Sequence, residues 1–280
     1  MQAIYNVINT LLPVEALQFS FMKNAFLAIL LLTPLLGLLG TMAVNRQMAF
    51  FSDALGHSAL TGIGLGIILG CSSDLLAMLV FGIAWAILIC MIKQTESASA
   101  DTVISVFSST SIAAGLLILS HGGGFAKYSS LLIGDILAVK PMDLLWLLIA
   151  LVVGIGLWVW MYNKLLLASI NPSLAKSRGI ATRLIECAFV VLVAVAVMLA
   201  IRWVGVMLIN ALLILPAAAG RNLANNSRQH AAWTVGIALF CGLAGLFSSY
   251  YWDTSAGAAI VLYAAGMYAI SLIWRTARKK

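Results

Sequence analysis

The chain has 280 residues, of which 63% are hydrophobic and only 9% charged, and its mean hydropathy is +1.07. Soluble domains carry roughly 25% charged and 45–50% apolar residues, so a soluble enzyme or binding module is excluded. The net charge of +7 does not point to nucleic acid either, because the basic residues punctuate apolar stretches and do not gather on one face.

A hydrocarbon core about 30 Å thick takes roughly 20 apolar residues per helical crossing. Residues 1–22 are only moderately apolar, contain Asn6, Asn9, Pro13 and Glu15, and have no basic residue before Lys23. They read as a peripheral amphipathic helix and not as a signal peptide. Residues 23–280 then read as a single transmembrane domain, with apolar spans at about 24–44, 54–71, 74–92, 102–120, 142–162, 183–201, 203–219, 231–248 and 256–274. The expected fold class is all-α, a polytopic membrane protein with about 8–9 transmembrane helices. Two stretches depart from simple crossings. Residues 121–140 open with HGGG and hold an apolar run too short to span, which predicts a short helix or re-entrant piece. Residues 204–220 place Asn210 and Pro216 inside an apolar run, which lipid tolerates only where neighbouring protein or a cavity satisfies the freed backbone groups.

Basic residues set the orientation. Lys164, Lys176, Arg178 and Arg183 surround one loop, Arg221 and Arg228 flank a later one, and Arg275, Arg278, Lys279 and Lys280 form the tail. Pairs of spans separate these regions, so all three lie on one side, the cytoplasmic one by the positive-inside rule. Counting backward places Lys93 and Arg46 inside as well. The four cysteines lie singly along the sequence and read as small buried apolar residues. His230 falls in a basic loop and reads as solvated.

Ionisable groups within the spans carry the functional signal, since burying one costs at least about 2.5–3.5 kcal/mol. In FFSDALGHSALTGIGLGIILG, residues 50–70, Asp53 and His57 are four apart and share one helix face. A carboxylate oxygen and an imidazole nitrogen suit a divalent transition ion. They equally suit a hydrogen-bonded pair at a helix start with Asp53 as its cap. Gly62, Gly64, Gly66 and Gly70 follow and permit close helix approach. His121, Asp135 and Asn210 are further candidates for an ion path. There is no G-x-x-x-x-G-K-[ST] phosphate loop, no H-E-x-x-H and no G-x-S-x-G, so transport energy would come from a partner chain or an ion gradient. The loop at about 169–180, SINPSLAKSRGI, reads either as an ordinary turn or as a short helix that Pro172 starts and Gly179 ends.

Taken together, NRQMAFFSDALGHSALTGIGLG, SSLLIGDILAVKPMDL, INPSLAKSRGI, VGVMLINALLILPAAA and SAGAAIVL resemble, in family order, the permease subunits of ATP-binding-cassette importers for zinc and manganese. The resemblance implies a type II importer-like permease fold, a homodimer in the lipid bilayer, and a separate ATPase subunit that hydrolyses the ATP. It also implies an extracytoplasmic metal-binding protein that delivers the ion. It further implies that no cofactor is held permanently and that the cargo is Mn²⁺ or Zn²⁺; Fe²⁺ suits the same donors. Asp53 and His57 match the family's metal-coordinating aspartate and histidine. Pro172, Ser173, Leu174, Ala175 and Gly179 match its ATPase-coupling loop. Gly56 stands where the family has serine, Asn171 and Ser173 where it has acidic residues, and Asn210 where it has a small or apolar residue.

Overall fold

The computed structural model describes Tyr5 and residues 14–95, 99–121 and 134–278. Among these residues every regular element is helical. That is the physics of lipid: with no water to receive backbone N–H and C=O groups, a spanning segment satisfies them inside its own helix. The described helices are α1 (Ser20–Asn45), α2 (Phe51–Ile68), α3 (Asp74–Lys93), α4 (Ala100–His121), α5 (Pro141–Ile170), α6 (Pro172–Ser177), α7 (Thr182–Val204), α8 (Val206–Leu223), α9 (Ser227–Trp252) and α10 (Ala256–Arg278). Short 3-10 turns at Glu15–Gln18 and Ile136–Ala138 precede α1 and α5.

Eight of these helices, all except α2 and α6, are long and apolar enough to cross a bilayer. The ninth expected span is α2, whose serines, glycines, Asp53 and His57 dilute its hydropathy. Most of the peripheral helix expected over residues 1–22 lies outside the described residues; α1 itself begins at Ser20. Of the piece expected over 121–140, residues 122–133 also lie outside them. The described remainder is a turn that Asp135 caps before α5 starts at Pro141. The largest shift of a boundary is in α5, which runs to Ile170 and not to about 162. The Tyr162-Asn163-Lys164 sequence does not break it, because Lys164 folds back with Nζ 3.8 Å from the centre of the Trp160 ring.

The chain divides into two compact units. The first comprises Met1–Thr41, Ile133–Val152 and Trp203–Lys280, and so holds most of α1 with α8, α9 and α10. Lipid tails are as apolar as leucine, so helices associate here by close packing of small residues. Gly40 of α1 lies against the backbone of α8, where a Cβ would overlap the Leu213 carbonyl. Gly242 admits Ile29 and Gly245 admits Ile260 in the same way. His230 corrects the expectation of a solvated loop residue. Asn226 caps α9 by accepting from Gln229 N at 2.8 Å, so His230 already lies in the helix, is buried, and donates from Nε2 to the Ala217 carbonyl at 2.9 Å.

The second unit comprises Met42–Leu132 and Val153–Arg202, with α2, α3, α4, α6, the later part of α5 and nearly all of α7. Here the cysteine reading is corrected. Cys90 on α3 and Cys187 on α7 meet in space, each sulfur 3.3 Å from Gln94 Nε2, and Cys71 is exposed. Cys241, in the first unit, is buried as expected. The glycine contacts give a direct test of the packing. Gly40→Ala should lower stability by about 1–3 kcal/mol through overpacking. Gly156→Ala, at a position with open space around it, should not. Thermal unfolding in detergent checks this, and equal midpoints for the two variants would contradict the close approach of α1 and α8.

Candidate metal site and docking loop

Between α1 and α2 the chain turns at Arg46 and Gln47, with Gln47 in the left-handed region at φ 55°. The Met48 N–H donates back to the Ala43 carbonyl at 2.9 Å, closing the turn. Helix α2 starts at Phe51, which puts Asp53 in its first turn, where a carboxylate is favoured by the helix dipole. His57 follows one turn later on the same face. Its Nε2 lies 3.6 Å from Asp53 Oδ1, and the side chains are 26% and 44% exposed respectively. That separation is beyond a hydrogen bond. It is close to the value of about 3.4 Å that a tetrahedral ion would impose on two donors at about 2.0–2.2 Å each. An ion could therefore sit between them with adjustments of a few tenths of an ångström.

Most of α2 as far as Gly66 is buried among its neighbours, and Ile67 and Ile68 at its end are exposed. Gly62 and Gly66 face Met78 and Ala77 of α3, and a Cβ on Gly66 would overlap Ala77. Gly64 faces Ile118 of α4, while the Thr61 hydroxyl donates to the Ser111 carbonyl and lies beside Gly115. The contacts advance together along α2 and α4, so these two helices run parallel. His121, at the end of α4, is consequently displaced from His57 by about 15 Å along the axis. The structure does not bring these two histidines together. Asp135 accepts from Leu137 N at 3.0 Å and caps the turn before α5, and Asn210 is half-buried on α8; both belong to the first unit. Asp53 and His57 are thus the pair that local structure assembles. Among the described residues, no group of three or more His, Cys, Asp or Glu side chains is placed to hold a metal. A closed structural zinc site takes about four donors, so this pair leaves most of an ion's shell to water or backbone.

The loop at about 169–180 is a built element. Asn171 Oδ1 accepts from Leu174 N at 3.0 Å, and Pro172 occupies the first helical position, where its missing N–H costs nothing. Asparagine caps as well as aspartate, so the departure from the family's acidic residue keeps the cap. Gly179 at φ 72° ends the helix, with the Gly179 and Ile180 N–H groups donating to the Lys176 and Ala175 carbonyls, each at 3.0 Å. Ala175 is fully buried and anchors the helix, while Pro172, Ser173 and Leu174 are exposed.

One cluster escaped the sequence reading. Glu186, in the first turns of α7, pairs with Arg46 at 3.2 Å and with Lys93 at 2.8 Å. In the sequence the two cations serve only to orient the chain. The available signal is a single carboxylate just after the 169–180 loop, at the start of an apolar span.

The profile of the ABC 3 transport family matches residues 18–275, and the chain belongs to that family. It is similar to the high-affinity zinc uptake system membrane protein ZnuB of Haemophilus influenzae, at 28% identity over 258 residues, covering 92% of this chain and 98% of that protein. The manganese import system permease protein ScaB of Streptococcus parasanguinis is 30% identical over 264 residues, 94% of each chain. Among solved structures, PsaBC from Streptococcus pneumoniae, determined in complex with Fab, matches with a TM-score of 0.79 and 28% identity over 97% of this chain and 95% of that one. The fold is that of an ATP-binding-cassette importer permease, a multi-pass membrane protein.

The loop makes its own prediction. Asn171→Ala should remove about 1 kcal/mol of capping, whereas Asn171→Asp should be neutral. Limited trypsin digestion after Lys176 and Arg178 should accelerate only in the alanine variant. Equal rates in all three proteins would show that the cap does not hold α6.

Proposed function

We propose that this chain is the transmembrane permease subunit of an ATP-driven importer for a divalent transition-metal ion, manganese or zinc. Asp53 and His57 receive the ion in transit. The observation that carries this reading is the 3.6 Å separation of a carboxylate and an imidazole on a small-residue helix in a chain of this family. Such a pair suits transport better than storage, because a path must bind the ion well enough to admit it and weakly enough to release it. A carboxylate with an imidazole favours a bare ion over a bulky chelate, whose own donors already fill the metal's shell.

Four further parts of the reading rest on the same family membership and on the geometry of the loop. ATP is hydrolysed on a separate subunit, which docks on α6 through the exposed Pro172, Ser173 and Leu174. An extracytoplasmic binding protein delivers the ion. Two copies of the chain form the translocation unit. The C-terminus, with Arg275 and Arg278, is cytoplasmic, as the positive-inside rule requires.

The experiment is metal accumulation in cells lacking their own high-affinity importers and expressing this chain with its ATPase and binding protein. The intact system should restore uptake of manganese or zinc, and the metal that accumulates identifies the cargo. Asp53→Asn and His57→Ala should each reduce uptake by about tenfold or more at equal membrane abundance, the loss expected when a charge-assisted contact worth about 1.4 kcal/mol is removed. Unchanged uptake in both variants would reduce the pair to a structural role.

A further inference from the structure

We infer that Glu186 is the positioning residue that transmits movement of the docking loop to the helix bearing Asp53 and His57; this rests on the transport reading above. A single carboxylate oxygen, Glu186 Oε1, lies 2.8 Å from Lys93 Nζ and 3.2 Å from Arg46 Nη1. All three side chains are largely shielded, between 11% and 19% exposed, so solvent screens their attraction far less than at a surface. The second guanidinium nitrogen of Arg46, Nη2, donates to the Leu165 carbonyl at 3.4 Å. Next to Lys93, Gln94 donates from Nε2 to the Arg183 carbonyl at 3.5 Å.

The chain order makes these contacts informative. Leu165 lies in the last turns of α5, immediately before α6, and Arg183 and Glu186 lie in the first turns of α7, immediately after it. Arg46 sits in the turn that launches α2, and Lys93 ends α3, on which Gly62 and Gly66 of α2 pack. Both supports of the docking loop are therefore tied through Arg46 to the start of the ion-binding helix. The path is short and made of ion pairs and rigid helices, the kind of connection that carries coupling between sites. It is also unbalanced. Two cations share one carboxylate, so neutralising Glu186 leaves two shielded positive charges facing each other.

The test uses the full complex, this chain with its ATPase and binding protein, in proteoliposomes. Manganese and zinc uptake and phosphate release are measured together. Glu186→Gln should lower the number of ions moved per ATP by about tenfold, within the usual range of coupling between sites. ATP hydrolysis and complex assembly on size-exclusion should hold, while the thermal midpoint falls because the two cations lose their counter-charge. A merely structural role would instead lower uptake and hydrolysis in parallel, and that result, or an unchanged ratio, would overturn the inference. Should Glu186→Gln fail to assemble, Arg46→Lys takes its place. Lysine keeps the charge but cannot reach Glu186 and the Leu165 carbonyl together, so the ratio should fall by a smaller factor, and an unchanged ratio overturns the inference equally. Absence of ATP-driven uptake by the intact complex is a distinct outcome, which would overturn the transport reading and this inference with it.

Discussion

A helix that carries a carboxylate and an imidazole cannot face lipid, and the second unit is built around that constraint. Helix α2 combines Asp53 and His57 with serine, threonine and four glycines, and it is the one long described helix that falls short of a spanning segment's apolarity. It is accommodated because α3 and α4 cover most of it. The covering is close because glycine sits where the backbones approach, at Gly62 and Gly66 toward α3, and at Gly64 and Gly115 in the contact with α4. The buried hydroxyl of Thr61 is satisfied by the Ser111 carbonyl. Exposure remains at the Asp53–His57 pair near one end of the helix and at Ile67 and Ile68, both apolar, at the other. The polar pair and the packed face thus share one helix: Asp53 and His57 stay accessible, while the small residues from Ser58 to Gly66 are committed to its neighbours.

The charges follow the same economy. Among the described residues, those that are not part of the proposed ion path lie toward helix ends, and several of them snorkel or pair. Lys164 lies over Trp160, Arg275 donates to Asn222, and Arg46 and Lys93 converge on Glu186. The last of these arrangements joins helix ends on either side of α6. A helix of six residues has little stability of its own, and α6 is held by Asn171, Gly179 and one buried alanine. Its rigidity, and any force it receives, depend on the ends of α5 and α7 that flank it.

Much of this was legible in the sequence because it is local. Hydropathy located the spans, Asn171-Pro172 and Gly179 framed α6 through capping chemistry, and the four-residue spacing of Asp53 and His57 fixed their shared face. What escaped depends on contacts between distant segments. His230 looked like a loop residue because the Asn226 cap, which starts α9 before it, is weak evidence until the helix is seen. Cys90 and Cys187 looked isolated because only the packing of α3 against α7 brings them to Gln94. The length of α5 was underestimated because Lys164 is a break by composition but a snorkelling residue by geometry. The Glu186 cluster was invisible for the same reason as the cysteines. Of the wider candidate set, His121 is separated from the pair by the parallel run of α2 and α4, and Asp135 serves a turn.

The central claim is that the Asp53–His57 pair takes a metal ion directly. Pulsed electron paramagnetic resonance of Mn²⁺ bound to the assembled complex tests it without relying on transport. The account predicts a hyperfine coupling to an imidazole nitrogen that is present in the intact protein and absent after His57→Ala. A bound manganese with oxygen ligands alone, unchanged by that substitution, would contradict it.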